Sequence, residues 1–226
     1  MTESEHGLAV DAKGLGRRFG RVWALAHVDL AVEFGTSVWL RGANGAGKTT
    51  LLRMLASLST PSCGELSVAG FDVYRELDDI RREVSFISHA LYLYPGLTAI
   101  ETMLLWMRLG EGEVNRADAA DRLAEVGLVG AATRRVGEFS AGMKKRLALA
   151  RTQLEAPKVL LLDEPFSSLD TAGCQLVEAW VLKFVEGGGT VVMASHDHER
   201  SLALCQLVID LENGQITGSH AGGGGA

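Results

Sequence analysis

The sequence predicts an α/β protein with a mixed sheet, an antiparallel β subdomain and an inserted α-helical subdomain, and three observations indicate this class. Near-continuous apolar runs occupy Ser37 to Arg41, Val159 to Asp163 and Thr190 to Ser195, as is typical of parallel strands covered on both faces. The N-terminal part is rich in strand-like segments that turn at glycine. Apolar residues recur at helical spacing between positions 98 and 155.

The N-terminal third is expected to contain most of the antiparallel strands. Its apolar segments are short and are bounded by turn residues such as Phe34-Gly35. The predicted strands are Leu8 to Ala12, Val28 to Val32, Ser37 to Arg41, Glu65 to Ala69 and Val84 to Ser88. The predicted helices are Thr50 to Leu58 and the charged segment Arg75 to Arg82.

The helical insert and the last third differ in their apolar period. Helices are predicted at Thr98 to Leu109, Arg116 to Val126 and Gly142 to Glu155. The α/β alternation then returns, with Thr171 to Val185 as the crossover helix between two parallel strands. A further strand is predicted at Leu207 to Leu211.

Length and composition predict one domain with an insertion. The chain has 226 residues, of which 47% are hydrophobic and 22% are charged, enough to bury a sizeable core. We expect a single domain over residues 1–218, with the helical subdomain inserted at about 89–155. The glycine-rich residues 219–226 are predicted to form a flexible tail.

Charge and cysteine usage exclude several classes of protein. The net charge is -6 and the basic residues are scattered, so we expect no nucleic-acid partner. The three cysteines, Cys63, Cys174 and Cys205, are widely spaced and have no histidine at metal-site spacing. This pattern predicts reduced thiols in a cytoplasmic protein, without a disulfide or structural zinc.

Neither a signal peptide nor a spanning helix is predicted. The first residues, MTESEHG, are acidic and polar, whereas a signal peptide begins with a basic and then an apolar segment. The most hydrophobic long window, Val84 to Met107, contains His89, Pro95 and Glu101. These residues disqualify the window as a membrane-spanning helix.

A glycine-rich segment carries the strongest functional signal. Gly42 to Thr49 matches GxxxxGK[ST] and lies between a predicted strand and a predicted helix. Backbone N–H groups of such a loop curl around phosphate oxygens, which side chains at the glycine positions would obstruct. The predicted phosphate-binding residues are Gly42, Ala43, Asn44, Gly45, Ala46, Gly47, Lys48, Thr49 and Thr50.

Three features of this loop predict distinct roles. The helix that begins near Lys48 directs its partial positive charge at the phosphates, and the Lys48 ammonium adds a full charge. The Thr49 hydroxyl is a magnesium ligand. The sequence therefore predicts a P-loop nucleoside triphosphatase with a RecA-like sheet, which uses ATP and Mg²⁺.

A second motif, VLLLDEP, places two acids at the end of a buried strand, where ligands of open α/β sheets bind. Asp163 is expected to hold magnesium, directly or through water. Glu164 is expected to orient and deprotonate the water that attacks the terminal phosphate, a role typically worth about 10²–10⁴-fold in rate.

The remaining motifs resemble those of the ABC transporter ATPases. Glu138 to Arg151, EFSAGMKKRLALAR, is similar to their signature segment and its basic helix. Ser167 to Asp170, SSLD, resembles their D-loop, and His196 in MASHD resembles their switch histidine. The order of these motifs between about Phe19 and His196 makes the resemblance specific.

The resemblance implies a head-to-tail dimer in which two nucleotides lie between the subunits. Ser140 and Gly142 would bind the γ-phosphate of the ATP held by the partner, together with the D-loop residue Asp170. His196 would contact the γ-phosphate and the attacking water. Phe19 corresponds to the aromatic residue that stacks on adenine, and Trp23 is a competing candidate.

Two positions depart from the family pattern. His89 stands where the family has a glutamine near the metal, and we expect it to contact the magnesium-bound water as a catalytic and metal-site residue. The signature reads FSAGM, with Ala141 and Met143 as its unusual members. With these residues the chain resembles the ATP-binding subunit of the heme exporter of cytochrome c maturation.

The function implied by the resemblance is ATP hydrolysis that powers export through separate integral membrane subunits. Such a chain lies peripherally on the cytoplasmic face of the cell membrane. Leu91 to Tyr94 would contact the membrane subunits. Two alternatives stay open at this point: a soluble ABC ATPase of iron–sulfur cluster assembly, and a nucleotide-dependent regulatory module that hydrolyses ATP poorly.

Overall fold

The computed structural model describes residues 7–88, 91–110 and 113–224. These residues form two compact units. The first unit comprises residues 1–86, 157–165 and 178–226, and the second comprises 87–156 and 166–177. The second unit therefore includes the predicted insert of about 89–155 and an additional segment after the seventh strand.

In chain order, the strands are β1 (Leu8–Phe19), β2 (Val22–Glu33), β3 (Ser37–Arg41), β4 (Cys63–Val68), β5 (Phe71–Asp72), β6 (Val84–Ile87), β7 (Val159–Asp163), β8 (Thr190–Ala194), β9 (Leu207–Glu212) and β10 (Gln215–Ala221). The α-helices are α1 (Lys48–Leu55), α2 (Leu77–Glu83), α3 (Ala99–Leu109), α4 (Arg116–Glu125), α5 (Ala141–Glu155), α6 (Thr171–Glu186) and α7 (His198–Leu204). Two short 3₁₀ turns lie at Val129–Ala131 and Val136–Glu138.

The first sheet has four strands in the order β2-β1-β4-β5, and its pairs are antiparallel. Strands β1 and β2 are each 12 residues long and form a hairpin that ends in the pair Phe19–Val22. Both strands extend well beyond the predicted segments because register irregularities accommodate Gly14 and the polar residues after Ala12. The predicted antiparallel subdomain is confirmed.

The second sheet has six strands in the order β10-β9-β3-β8-β7-β6. Strands β9, β3, β8 and β7 are mutually parallel, whereas β10 runs antiparallel to β9. The register pairs Leu40 with Ala194 and Asp163 with Ala194. The carboxyl ends of β3, β7 and β8 therefore meet at one edge, where α/β sheets bind ligands.

The core of the first unit lies around α1 and the buried faces of the strands. Every residue of β7 and β8 is buried, which explains their continuous apolar sequence. On α1, the apolar face is inaccessible to solvent. Its members are Leu51, Leu52, Met54 and Leu55. Burying one such side chain contributes about 1.5–3 kcal/mol to folding stability. This packing therefore fixes the position of α1 relative to the loop that precedes it.

The second unit contains α3, α4 and α5, each of which begins at a side-chain cap. Thr98 and Glu101 form a capping box at α3, and Asn115 caps α4. The Ser140 hydroxyl accepts a hydrogen bond from the Met143 N–H at the start of α5. Such caps satisfy N–H groups that have no partner within the helix, which accounts for the predicted helix starts.

The prediction of a flexible tail over residues 219–226 is wrong for residues 219–224, the described part of that segment. Strand β10 continues to Ala221, which pairs with Leu207. Gly222, Gly223 and Gly224 then donate backbone hydrogen bonds to carbonyls of Gln206, Leu202 and Cys205, with distances of 2.8–3.0 Å. The glycines pack closely against the end of α7 because they have no side chains that would obstruct this approach. Elements β5, α7 and β10 were not predicted.

Within the described ranges, no helix has both the length and the apolar composition needed to cross a bilayer.

Candidate active site

The loop between β3 and α1 adopts a conformation that its glycines permit. Gly47, the residue before α1, has φ of +109°, and a Cβ there would lie 2.7 Å from the Ala24 carbonyl oxygen. A Cβ on Gly42 would lie 2.2 Å from the Leu211 carbonyl oxygen. A side chain at either position would clash with the backbone of a neighbouring β-strand, so both positions require glycine.

Lys48 begins α1 and turns its side chain back toward the loop. Its Nζ donates to the carbonyl oxygens of Gly42 at 2.7 Å and Ala43 at 3.0 Å. The side chain is buried, and this burial lowers the pKa of Lys48, opposed by the charges of Glu164 and Asp163. A cation held at a helix N-terminus beside main-chain oxygens can exchange them for phosphate oxygens.

Thr49 and Asp163 come together at the end of β7. The Thr49 hydroxyl lies 3.1 Å and 3.0 Å from the two carboxylate oxygens of Asp163 and donates its hydrogen to them. Asp163 is 8% exposed. A hydroxyl and a carboxylate are oxygen ligands of the kind that Mg²⁺ prefers, so this pair fits a magnesium site that substrate phosphates and water would complete.

Glu164 and His196 form the other side of the site. The Glu164 backbone has φ of +54° and its N–H donates to the Ala194 carbonyl at 2.8 Å. The His196 N–H donates to Glu164 Oε2 at 3.2 Å, and His196 Nε2 lies 3.4 Å from Glu164 Oε1. The strained backbone at Glu164 is typical of functional positions, and it turns the carboxylate toward His196.

Asn44 links the phosphate loop to the histidine. Its Oδ1 lies 2.7 Å from His196 Nε2. Asn44 Oδ1 and Glu164 Oε1 are both acceptors, so a proton on Nε2 would serve either of them. The loop, the general-base candidate and the histidine are thus joined in one hydrogen-bonded group.

The residue before His196 is also held firmly. Ser195 is 3% exposed, and its hydroxyl accepts a hydrogen bond from the Asp197 N–H at 3.0 Å. Its carbonyl accepts from the indole N–H of Trp39 at 3.2 Å. Trp39 was not predicted as a site residue, although a tryptophan three residues before a phosphate loop needs a partner for its N–H when buried.

The two candidate adenine-stacking residues lie on the β1–β2 hairpin. Phe19 is 53% exposed and Trp23 is 47% exposed. The Arg17 guanidinium carbon lies 4.7 Å from the centre of the Phe19 ring, and that of Arg18 lies 5.7 Å from Trp23. Each ring therefore carries a cation–π contact and remains accessible for stacking on a base.

The predicted signature residues lie in the second unit. Ser140 caps α5, and a Cβ on Gly142 would lie 3.0 Å from the Ser168 carbonyl. Asp170 accepts a hydrogen bond from the Gly173 N–H at 2.8 Å, so in this structure it caps the start of α6. Lys145, also buried, donates to the carbonyl and hydroxyl of Ser167 at 2.8 Å and 2.7 Å.

The structure brings together the loop, Lys48, Thr49, Asp163, Glu164 and His196 within the first unit. The predicted loop residues Gly45, Ala46 and Thr50 belong to the same segment, and the Ala46 carbonyl accepts from the Gly214 N–H at 3.0 Å. His89 lies outside the described residues. Within the described ranges, no group of three or more metal-ligating His, Cys, Asp or Glu side chains is found.

Fold and site together define a P-loop nucleotide-binding protein of the α/β class. The sequence profile of the family described as ABC transporter matches residues 25–167. This match covers more than half of the chain, which therefore belongs to the ABC transporter family.

Similar proteins agree with this assignment. The chain is 35% identical over 214 residues to the "Fe(3+) ions import ATP-binding protein FbpC" of Rhizobium etli, covering 93% of this chain and 60% of that protein. It is 34% identical to the "ABC transporter ATP-binding protein NatA" of Bacillus subtilis, covering 86% of this chain and 80% of that protein. The chain thus spans less than two thirds of the iron-import relative.

A solved structure shares the architecture almost throughout. It is a dimeric ATP-binding cassette in a post-hydrolysis state, bound to ADP and Pi. The TM-score is 0.85 at 27% sequence identity, and the match covers 94% of this chain and 98% of that chain. The predicted P-loop fold class is confirmed.

Proposed function

We propose that this chain is an ATP-binding and ATP-hydrolysing subunit of an ABC transporter. The observation that carries the proposal is the cluster at the end of β3 and β7. There, the Thr49–Asp163 pair, the Lys48 ammonium and the Glu164 carboxylate meet in one unit. This combination supplies a cation that binds the phosphates, two oxygen ligands for a magnesium ion and a general base. These are the three parts that phosphoryl transfer to water requires.

Binding of ATP begins at the phosphate loop. The N–H groups of the loop and the N-terminus of α1 attract the phosphates, and Lys48 exchanges its two carbonyl partners for phosphate oxygens. Phe19 offers an open ring face for adenine, with Trp23 as the competing candidate. Base stacking of this kind needs no hydrogen bond to the base.

Thr49 and Asp163 would hold magnesium, which when bound neutralises charge on the phosphate oxygens. Glu164 then accepts a proton from the attacking water, since a carboxylate is an acceptor on both oxygens when ionised. His196 carries its Nε2 proton between Asn44 and Glu164, from where it can donate to an oxygen of the terminal phosphate. We assign His89 to the metal-bound water, as its position in the motif order predicts.

We infer that the complete site needs two chains arranged head to tail. The similar cassette bound to ADP and Pi is a dimer, which supports a site that needs two chains. In the proposed dimer, Ser140 and Gly142 at the N-terminus of α5 would face the phosphates held by the partner, together with Asp170 of the D-loop. Because the loop of each chain meets the signature of the other, the contact is isologous and closes as a two-fold dimer.

We also propose integral membrane subunits as partners, with the chain peripheral to the cytoplasmic face. Tyr92 is 87% exposed and Tyr94 is 60% exposed. Tyr92 lines a groove of about 270 Å³ in the second unit. Exposed tyrosines beside an apolar groove suit the docking of a short helix. Leu91, Leu93, Pro95 and Val136 contribute the apolar lining.

Two cargoes are proposed for the transporter, heme and Fe³⁺. Heme export rests on His89 and the FSAGM signature. Import of Fe³⁺ rests on the name of a relative with 35% identity. Reconstitution with the membrane subunits that copurify in mild detergent, followed by transport assays with heme and with Fe³⁺, distinguishes the two.

The experiment that tests the ATPase itself compares Glu164→Gln with Glu33→Gln. Glu33 is an exposed residue at the end of β2, so its variant controls for the loss of one negative charge. We expect Glu164→Gln to lower kcat by about 10²–10⁴-fold and Glu33→Gln to leave it unchanged. A wild-type chain without Mg-ATP turnover at high concentration, or an unchanged rate in Glu164→Gln, would overturn the proposal.

A further inference from the structure

Strand β3 presents two different faces. Val38 and Leu40 belong to the hydrophobic core of the first unit, whereas Ser37, Trp39 and Arg41 lie on the opposite face because side chains alternate along a strand. All three of the latter make side-chain hydrogen bonds. Ser37 Oγ donates to the Leu204 carbonyl at 3.1 Å, and Arg41 forms a bidentate ion pair with Asp210.

The third of these side chains reaches the catalytic edge. Trp39 donates its indole N–H to the Ser195 carbonyl at 3.2 Å. That carbonyl belongs to the peptide unit between Ser195 and His196. The N–H of the same peptide unit donates to Glu164 Oε2 at 3.2 Å. One planar peptide therefore joins the Trp39 indole to the carboxylate of the proposed general base.

The indole is itself held in a single orientation. Trp39 is 1% exposed. The His198 ring meets it edge-on at 5.0 Å with an interplanar angle of 85°, and the Arg41 guanidinium carbon lies 5.7 Å from its centre. Since the donor is fixed and the peptide bond is planar, the direction of the His196 N–H is fixed as well.

We propose that Trp39 is a positioning residue for ATP hydrolysis: its indole N–H orients the Ser195–His196 peptide, and this peptide holds the Glu164 carboxylate in place. The inference rests on the proposed ATPase function and adds a residue to it. A hydrogen bond to a peptide carbonyl also polarises the N–H of that peptide, so the bond to Glu164 is strengthened. Without the indole N–H, the peptide can rotate and Glu164 loses one of its donors.

The first test is the pair Trp39→Phe and Trp180→Phe. Both variants lose an indole, but Trp180 stacks on Phe184 within α6 at 5.3 Å. Trp39→Phe is expected to lower kcat by about 3- to 10-fold, the factor for one neutral hydrogen bond. The affinity for ATP should be unchanged, since the phosphate loop keeps its contacts. An unchanged kcat in Trp39→Phe would overturn the inference.

A double-mutant cycle separates positioning from general damage. In the Glu164→Gln background, Trp39→Phe should cause no further loss of the residual rate, because the group that Trp39 positions has been removed. An equal fold-loss in both backgrounds would overturn the inference. If Trp39→Phe does not fold, Trp39 can be replaced by 3-benzothienylalanine for the same test. This residue keeps the ring size but has sulfur in place of the indole N–H.

Amide hydrogen exchange at His196 gives a readout that does not depend on turnover. We expect the His196 N–H to exchange about tenfold faster in the Trp39 variants, while amides of β7 keep their rates. Unchanged exchange at His196 would overturn the inference even if ATP is hydrolysed. Faster exchange in a chain without turnover would support the positioning role and reject the ATPase proposal instead.

Discussion

Thr49 and Asp163 illustrate how this site is built at the scale of single residues. Thr49 lies at the start of α1 and Asp163 at the end of β7, 114 positions apart in the chain. The hydroxyl and carboxylate nevertheless lie within hydrogen-bonding distance because α1 begins, and β7 ends, at the same edge of the sheet. Each supplies an oxygen with a charge or dipole suited to Mg²⁺.

The Thr49 hydroxyl can be tested with a matched pair of variants. Thr49→Val keeps the shape but removes the oxygen, whereas Thr49→Ser keeps the oxygen. We expect Thr49→Val to raise the Mg²⁺ concentration for half-maximal ATP turnover by about 10-fold or more, as for other losses around a metal. Thr49→Ser should stay within about twofold of the wild type. Equal Mg²⁺ dependence in both variants would remove Thr49 from the metal site.

The three cysteines are expected to differ in reactivity. Cys63 is exposed, whereas Cys174 and Cys205 are buried, and none of the three is in a disulfide. Burial raises the pKa of the Cys205 thiol to about 12, so it remains a protonated thiol at neutral and mildly alkaline pH. The thiolate is the reactive form.

Mass spectrometry after maleimide treatment at pH 7.5 checks this difference. The folded chain should gain a label at Cys63 within minutes, and the buried pair should react only after denaturation. Rapid labelling of Cys205 in the folded chain would contradict the burial of this side chain.

At the scale of elements, the β9–β10 hairpin supports the phosphate loop. The Gly214 N–H donates to the Ala46 carbonyl, and the Leu211 carbonyl lies where a Cβ on Gly42 would fall. Next to the loop, Arg41 pairs with Asp210, and this ion pair lowers the pKa of the Asp210 carboxyl. The hairpin therefore holds the phosphate loop in place through contacts at both Gly42 and Ala46.

The glycine segment after β10 gives a prediction at the same scale. A Cβ on Gly222 would lie 2.0 Å from the Cys205 carbonyl oxygen. We expect Gly222→Ala to cost about 1–3 kcal/mol of stability, as overpacking does, and to lower the urea midpoint. Gly96→Ala is the matched control, because a Cβ there meets no atom within 4 Å. Equal midpoints for both variants would indicate a loose C-terminal segment.

The sequence predicted the strands and helices that have a clear period or cap. Strand β3 was predicted with its observed bounds, and α5 to within one residue, because the first is a continuous apolar run and the second has a serine cap. Strand β10 was missed because Gln215–Ala221 contains few β-branched or aromatic residues. It forms because β9 offers an edge, which is a tertiary cause that local propensity does not contain.

The candidate site also has residues that the sequence predicted and contacts that it did not. Lys48, Thr49, Asp163 and Glu164 were predicted from motifs, and the structure places them together. The link between Asn44 and His196 and the contact from Trp39 to Ser195 were not predicted, because each joins residues more than 150 positions apart. Asp170 was predicted to bind nucleotide, and in this structure it caps α6.

At the scale of the whole molecule, each complete ATP site is proposed to take its two halves from different chains. The phosphate loop and Glu164 belong to the first unit, and the Ser140 signature belongs to the second. In the proposed head-to-tail dimer, each site combines the loop of one chain with the signature of its partner. ATP turnover per chain should therefore rise with protein concentration, since monomers lack half of each site.

Mixing two inactive variants tests whether the ATP site is shared between two chains. Lys48→Met disables the phosphate loop, and Ser140→Arg blocks the signature. A heterodimer of the two contains one site with an intact loop and an intact signature, so the equimolar mixture should recover up to about a quarter of the wild-type ATP turnover. If the mixture stays as inactive as either variant alone while heterodimers form, each site is built within a single chain and the account of a shared site is wrong.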